Sequence, residues 1–126
     1  MRSKKKLRNI KRFKTLWIAH VDVEAAEGHD LYELLELEDS NNSLQEYIGA
    51  WIDVIVKADS IVEALDILEI GLEDMNYVIK FIDRIENMHS LIEHKNVDDG
   101  TVKDADMLLR NNGNFLIKDG VWTYWD

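Results

Sequence analysis

The chain is 126 residues long, 46% hydrophobic and free of cysteine. It is long enough to close one core unaided, and it has no disulfide framework, thiolate metal site or Cys nucleophile. Its formal charge of −10 averages two unlike parts: residues 1–14 hold eight of the fifteen Lys and Arg and no acid, while Thr15 onward carries seven basic against twenty-five acidic residues, a net of −18.

The apolar share is that of a globular protein, so the charge divides the chain into a basic, flexible arm at 1–14 and an acidic globular domain at 15–126. The run after the arm, Leu16-Trp17-Ile18-Ala19-His20-Val21-Asp22, is broken by His20 and Asp22. A secretory signal needs about 7–15 unbroken apolar residues. No stretch approaches the ~20 apolar residues of a membrane span. A cytoplasmic protein without a membrane anchor is expected.

From Thr15 to Ala25 the residues alternate, with Trp17, Ala19, Val21, Val23 and Ala25 on one side and His20, Asp22 and Glu24 on the other. Period two predicts a half-buried strand. Residues 30–39 fit a strand or a short helix, leading into a turn at Ser40-Asn41-Asn42-Ser43. A strand follows at 46–58, with Ile48, Ala50, Ile52, Val54, Val56 and Ala58 opposite Trp51, Asp53, Ile55 and Lys57.

Ser60, with Glu63 three residues on, opens a helix at 60–74 in the manner of a capping box. Its apolar stripe is Ile61, Ala64, Leu65, Leu68 and Leu72. A second strand at 77–86 sets Tyr77, Ile79 and Phe81 against Val78 and Ile82. Strand, helix and strand predict a βαβ unit with parallel strands. Thr101 and Asp104 begin a helix that Asn111-Asn112-Gly113 stops, and Phe115 to Trp125 reads as a hairpin turning at Asp119-Gly120. The fold class is single-domain α+β: a mixed β-sheet with a central βαβ unit and a C-terminal β-hairpin.

No motif names a reaction. The six Gly are dispersed, so phosphate loops and dinucleotide fingerprints are absent, and no Ser sits in a nucleophile elbow. His89 and His94 are five apart and miss the i, i+4 spacing of a helical zinc site. His20 shares the polar face of the first strand with Asp22 and Glu24 and reads as a surface or interface histidine. Neither an enzyme nor a metal or other cofactor is expected.

The acids Glu24, Glu27, Asp30, Glu33, Glu36, Glu38 and Asp39 occupy a stretch with no Lys or Arg. Such a field attracts cationic protein surfaces, or else is a solvated face that keeps the chain soluble. The arm has the charge to hold RNA or DNA. The body would repel the same polyanion, however, and Phe13 is the arm's one ring for stacking a base. In Trp122-Thr123-Tyr124-Trp125, alternation points Trp122 toward the core and leaves Trp125 open to a role as an interface anchor.

With the segment Trp51-Ile52-Asp53-Val54-Ile55-Val56-Lys57-Ala58-Asp59-Ser60-Ile61-Val62-Glu63-Ala64 and its continuation Tyr77-Val78-Ile79-Lys80-Phe81, on an acidic, Cys-free body, the chain resembles the immunity proteins that bacteria encode beside contact-dependent and other polymorphic toxins. The resemblance implies a non-catalytic inhibitor of a cognate toxin. The charge argument agrees, because toxins that cut nucleic acid need basic clefts that an acidic domain can fill. The expected contacts are Glu27, Asp30, Glu33, Glu36, Glu38 and Asp39, with Tyr32 and Trp125 as anchors. The expected partner is a basic toxin domain rather than a membrane or a nucleic acid, and the free chain is expected to be a monomer or weak dimer. Two other readings are a ferredoxin-like regulatory or ligand-binding domain that self-associates, and an RNA-binding protein led by residues 1–14.

Overall fold

The computed structural model describes residues 10–29, 49–95, 97–118 and 122–124, with only the backbone of Trp122 and Thr123. Strand β1 (Leu16–Ala25) pairs antiparallel with β2 (Gly49–Lys57), Val21 opposite Ile52 and His20 opposite Asp53. Ala19, Val21 and Val23 of β1 are fully buried on the same face as Ala50, Ile52, Val54 and Val56 of β2. The two-residue period therefore assigns these faces correctly.

Helix α1 (Ile61–Asp74) covers that face. Ser60 caps it by accepting a hydrogen bond from the Glu63 backbone N–H at 3.2 Å. Asn76, left-handed at φ 69°, turns the chain out of it. Ala64, Leu68, Gly71 and Leu72 are its buried residues. Ile61 lies in the first turn and stays exposed, although it was assigned to the apolar stripe.

The chain then enters β3 (Tyr77–Asn87), and here the expected sheet is corrected. β1 lies between β2 and β3 and is antiparallel to both. The two strands of the βαβ unit do run parallel, but they are not neighbours. Every strand pairing among the described residues is antiparallel, so the sheet is not mixed. β1 satisfies backbone groups along both of its edges, which no local pattern specifies. Among the described residues, β1 is also followed directly by an antiparallel neighbour, β2.

Two bulges interrupt β3. His20 faces Arg84 while Val21 faces Ile82, and Asp22 faces Phe81 while Val23 faces Ile79, so Asp83 and Lys80 are extra residues. Each extra residue reverses the alternation beyond it. Ile79, Ile82 and Ile85 consequently reach the α1 side. Phe81, expected beside Tyr77 and Ile79, lies across from Asp22 and is 56% exposed.

The other face is apolar at one end only. There Leu16 and Ile55 pack with Ile10 and Phe13 of an N-terminal 3-10 turn (Ile10–Phe13), Met88 and Ile92 of α2 (Met88–His94), and Ala105 and Leu108 of α3 (Asp99–Arg110). Folded structure thus begins by Ile10, inside the segment assigned to a flexible arm. Phe13 is 1% exposed. The Arg12 guanidinium lies 4.1 Å from its ring and grips Asp106 with two hydrogen bonds of 2.8 and 3.1 Å. Phe13 is therefore closed to a stacked base.

The expected hairpin is also replaced. β4 (Phe115–Ile117) and β5 (Trp122–Tyr124) run in the same direction, both antiparallel to β2. Ile117 faces Val54 and Trp122 faces Trp51, so five steps of this edge accompany three of β2. The Lys118 N–H still donates to the Asp53 carbonyl at 2.8 Å. β2 is buried along most of its length, so its outer edge needs backbone partners over more than three residues, and a hairpin folded on itself would supply fewer.

Gly71 sits where Phe115 meets α1, and a Cβ there would lie 2.6 Å from the ring. Gly71→Ala should therefore lower the unfolding free energy by about 1–2 kcal/mol in urea titrations, despite alanine's better helix propensity. In a Phe115→Ala background the same change should cost nothing, a coupling that a double-mutant cycle reads directly.

Candidate functional site

Of the expected contact residues, Glu27 is described: it is exposed in the turn after β1, where the His29 N–H donates to the Ala26 carbonyl at 3.0 Å. Asp30, Tyr32, Glu33, Glu36, Glu38, Asp39 and Trp125 lie outside the described residues. The structure draws two other groups of functional side chains together, on opposite faces of the sheet.

The first is the outer surface of α1. Residues 59–74 contain six acids and no Lys or Arg. Asp59, Glu63, Asp66, Glu69, Glu73 and Asp74 are all exposed. None of the six carboxylates joins an ion pair or hydrogen bond among the described residues. Val62 and Ile70, 66% and 61% exposed, stand among them.

This placement is costly for the helix itself. Glu73 and Asp74 occupy its last turn, which holds no basic residue, at the negative end of the macrodipole. Each anion there costs about 0.3–1 kcal/mol. The pairs Asp66–Glu69 and Glu69–Glu73 add like-charge repulsion at i, i+3 and i, i+4, of about 0.2–0.5 kcal/mol each.

The second group lies on the open half of the opposite face. The His20 Nδ1 is 2.6 Å from the Asp53 carboxylate, and its ring stacks on Trp51 at 4.9 Å between centroids. Tyr124 reaches across Gly49, where a Cβ would overlap its ring. Its hydroxyl donates to the Asp22 carboxylate and accepts from Lys80 Nζ at 3.4 Å. Where this polar half meets α2, a cleft of about 330 Å³ opens. Ile18 and Leu91 are its apolar lining, and His20, Asp53, Arg84, Glu86 and Lys95 its polar one. Among the described residues no group of three or more His, Asp or Glu could hold a metal ion, and no helix is long and apolar enough to cross a membrane.

The acidic character of α1 was readable from its composition; the cleft was not, since its residues come from four elements. No protein-family model matches the chain, nor does any curated protein or solved structure.

Burial and the Asp22 hydrogen bond raise the Tyr124 phenol above its ordinary value. The bond to Tyr124, with Asp22 and Glu24 nearby, raises the Lys80 ammonium. Both groups hold their protons more firmly folded than unfolded. Their contribution is thus fully present below about pH 10, the unfolded range, and is lost as the pH climbs through the folded values. In alkaline unfolding followed by circular dichroism, the native chain should lose stability above about pH 10 more steeply than Tyr124→Phe.

Proposed function

We propose that the chain is a non-catalytic, immunity- or antitoxin-type protein that binds and neutralises a basic toxin domain, most simply a nuclease. The observation that carries this reading is the outer surface of α1: six exposed carboxylates without a cation among them, with Val62 and Ile70 at their centre. Fold stability does not account for it, because Glu73 and Asp74 oppose the helix dipole.

Binding accounts for both components. The acids steer a cationic cleft toward the helix and occupy the places of substrate phosphates. The two aliphatic side chains supply the dry contact that charge alone does not. Glu27 and the other acids of 24–39 extend the same reading along the chain. Three of the described cations have partners elsewhere. Arg12 is held by Asp106, Lys57 donates to the last carbonyls of α3, and Lys118 donates to the Thr101 hydroxyl. None of them neutralises α1.

Co-purification from the native host should recover a protein with a basic domain whose nuclease activity the chain suppresses. The double reversal Glu69→Lys with Glu73→Lys should then act in opposite directions on folding and binding. It should raise the unfolding free energy by about 0.5–2 kcal/mol, by removing repulsion and opposing the dipole correctly. It should also slow association at low salt by about tenfold or more and flatten its dependence on ionic strength. Unchanged stopped-flow rates would remove α1 from the interface.

A further inference from the structure

We propose that the open half of the second sheet face is a docking surface for a basic polypeptide, which places one arginine side chain at Asp22 among Phe81, Trp51 and Tyr124. This face lies across the sheet from α1, so the inference does not rest on how α1 is read.

The register sets the geometry. Asp22 of β1 stands opposite Trp51 of β2 on one side and Phe81 of β3 on the other. Each ring is therefore rooted one strand spacing, about 5 Å, from the aspartate. Tyr124 supplies a third ring, reaching across Gly49 to bring its hydroxyl to the Asp22 carboxylate. Glu24 follows Asp22 on the same face, opposite Val78.

Charge on this patch is not balanced. The Tyr124 hydroxyl is neutral, so its hydrogen bond leaves the charge of Asp22 in place. The Glu24 carboxylate joins no ion pair or hydrogen bond among the described residues. Against these two carboxylates stands the Lys80 ammonium, 3.4 Å from the Tyr124 hydroxyl. Arg84, in the next row, is already engaged by Asp83 at 3.0 Å and Glu86 at 3.6 Å.

Burial does not account for Phe81. In unbroken alternation it would face α1 with Tyr77 and Ile79. The extra residue Lys80 turns it outward, to 56% exposure, as Asp83 then turns Arg84 and Glu86. Bulges re-aim side chains in this way beside binding sites.

A guanidinium uses a ring and a carboxylate together, because its plane stacks on the ring while its N–H fork meets the oxygens. The chain makes this contact once itself, where Arg12 lies 4.1 Å over Phe13 and bonds Asp106 at 2.8 and 3.1 Å. Phe81 and Asp22 repeat the ring and the carboxylate, with Trp51 as a second ring, on a surface open to a partner.

The test is a titration of the full chain with two acetylated, amidated tripeptides, Gly-Arg-Gly and Gly-citrulline-Gly, at constant ionic strength, followed by backbone-amide NMR. Saturable shifts at Asp22, Glu24 and Phe81 are expected with the arginine peptide, and the neutral citrulline peptide should bind several-fold more weakly. Phe81→Ala should weaken arginine binding about threefold. Glu24→Gln should weaken it too, while Glu69→Lys with Glu73→Lys should leave it unchanged. Phe81 and Glu24 both lie outside the buried core, so either variant suffices if the other perturbs the spectrum. Equal binding of the two peptides, shifts confined to α1, or shifts that persist unchanged in both variants would overturn the proposal. So would a displaced Phe81 amide on deletion of residues 2–8, which would give the site to the chain's own basic arm.

Discussion

The constraint from which the rest follows is the unequal alternation of the central strand pair. One face of β1 and β2 is apolar from end to end. The other is apolar only where Leu16, Ile18 and Ile55 stand, and polar where His20, Asp22 and Asp53 stand. A long amphipathic helix can cover the first face, and α1 does. The second face offers burial to short elements at one end, which the 3-10 turn, α2 and α3 fill. Past Ile18 that face turns mostly polar, with Trp51 and Phe81 as its large rings, and no helix among the described residues covers it; the cleft lies at that boundary.

Charge is distributed by the same logic. On the second face most charged groups answer one another: Arg12 with Asp106, His20 with Asp53, Arg84 and Lys95 with Glu86. On α1 they do not. Proteins break local rules of this kind chiefly where binding needs it, which separates a surface organised for a partner from one that is merely hydrophilic. The sheet thus keeps apart an anionic exterior on one side and a small recess lined by paired groups of both signs on the other.

Sequence reasoning recovered what depends on local order. The alternation of β1 and β2, the Ser60 cap, the α1 span and the stop at Asn111 are each written within a few residues. What it missed depends on residues far apart. Alternation assigns faces but does not name neighbours, so the insertion of β1 between β2 and β3 left no local trace. A bulge is one ordinary residue, Lys80 or Asp83, whose effect is visible only against a partner strand. Asp119-Gly120 is a sound local signal for a turn, yet the strands on either side of it pair with the edge of β2 and not with each other. Phe13 was hidden by the basic residues around it, and α2 by its length, although Met88, Leu91 and Ile92 have helical spacing. As for the site, the eye is drawn to acids that crowd together at 24–39, whereas helical periodicity disperses those of α1 along the chain while gathering them in space.

The two bulges of β3 have one more effect. Among the described residues β3 is the outermost strand of its side of the sheet, eleven residues long, with Val78 and Phe81 exposed. A flat strand of that description would recruit identical copies and grow into fibres. The added residues kink its hydrogen-bonding rim, and Lys80, Asp83 and Arg84 place formal charges along it, so a second chain meets neither a straight ladder nor a neutral one. The same irregularity that aims Arg84 and Glu86 also protects the molecule from self-templated aggregation.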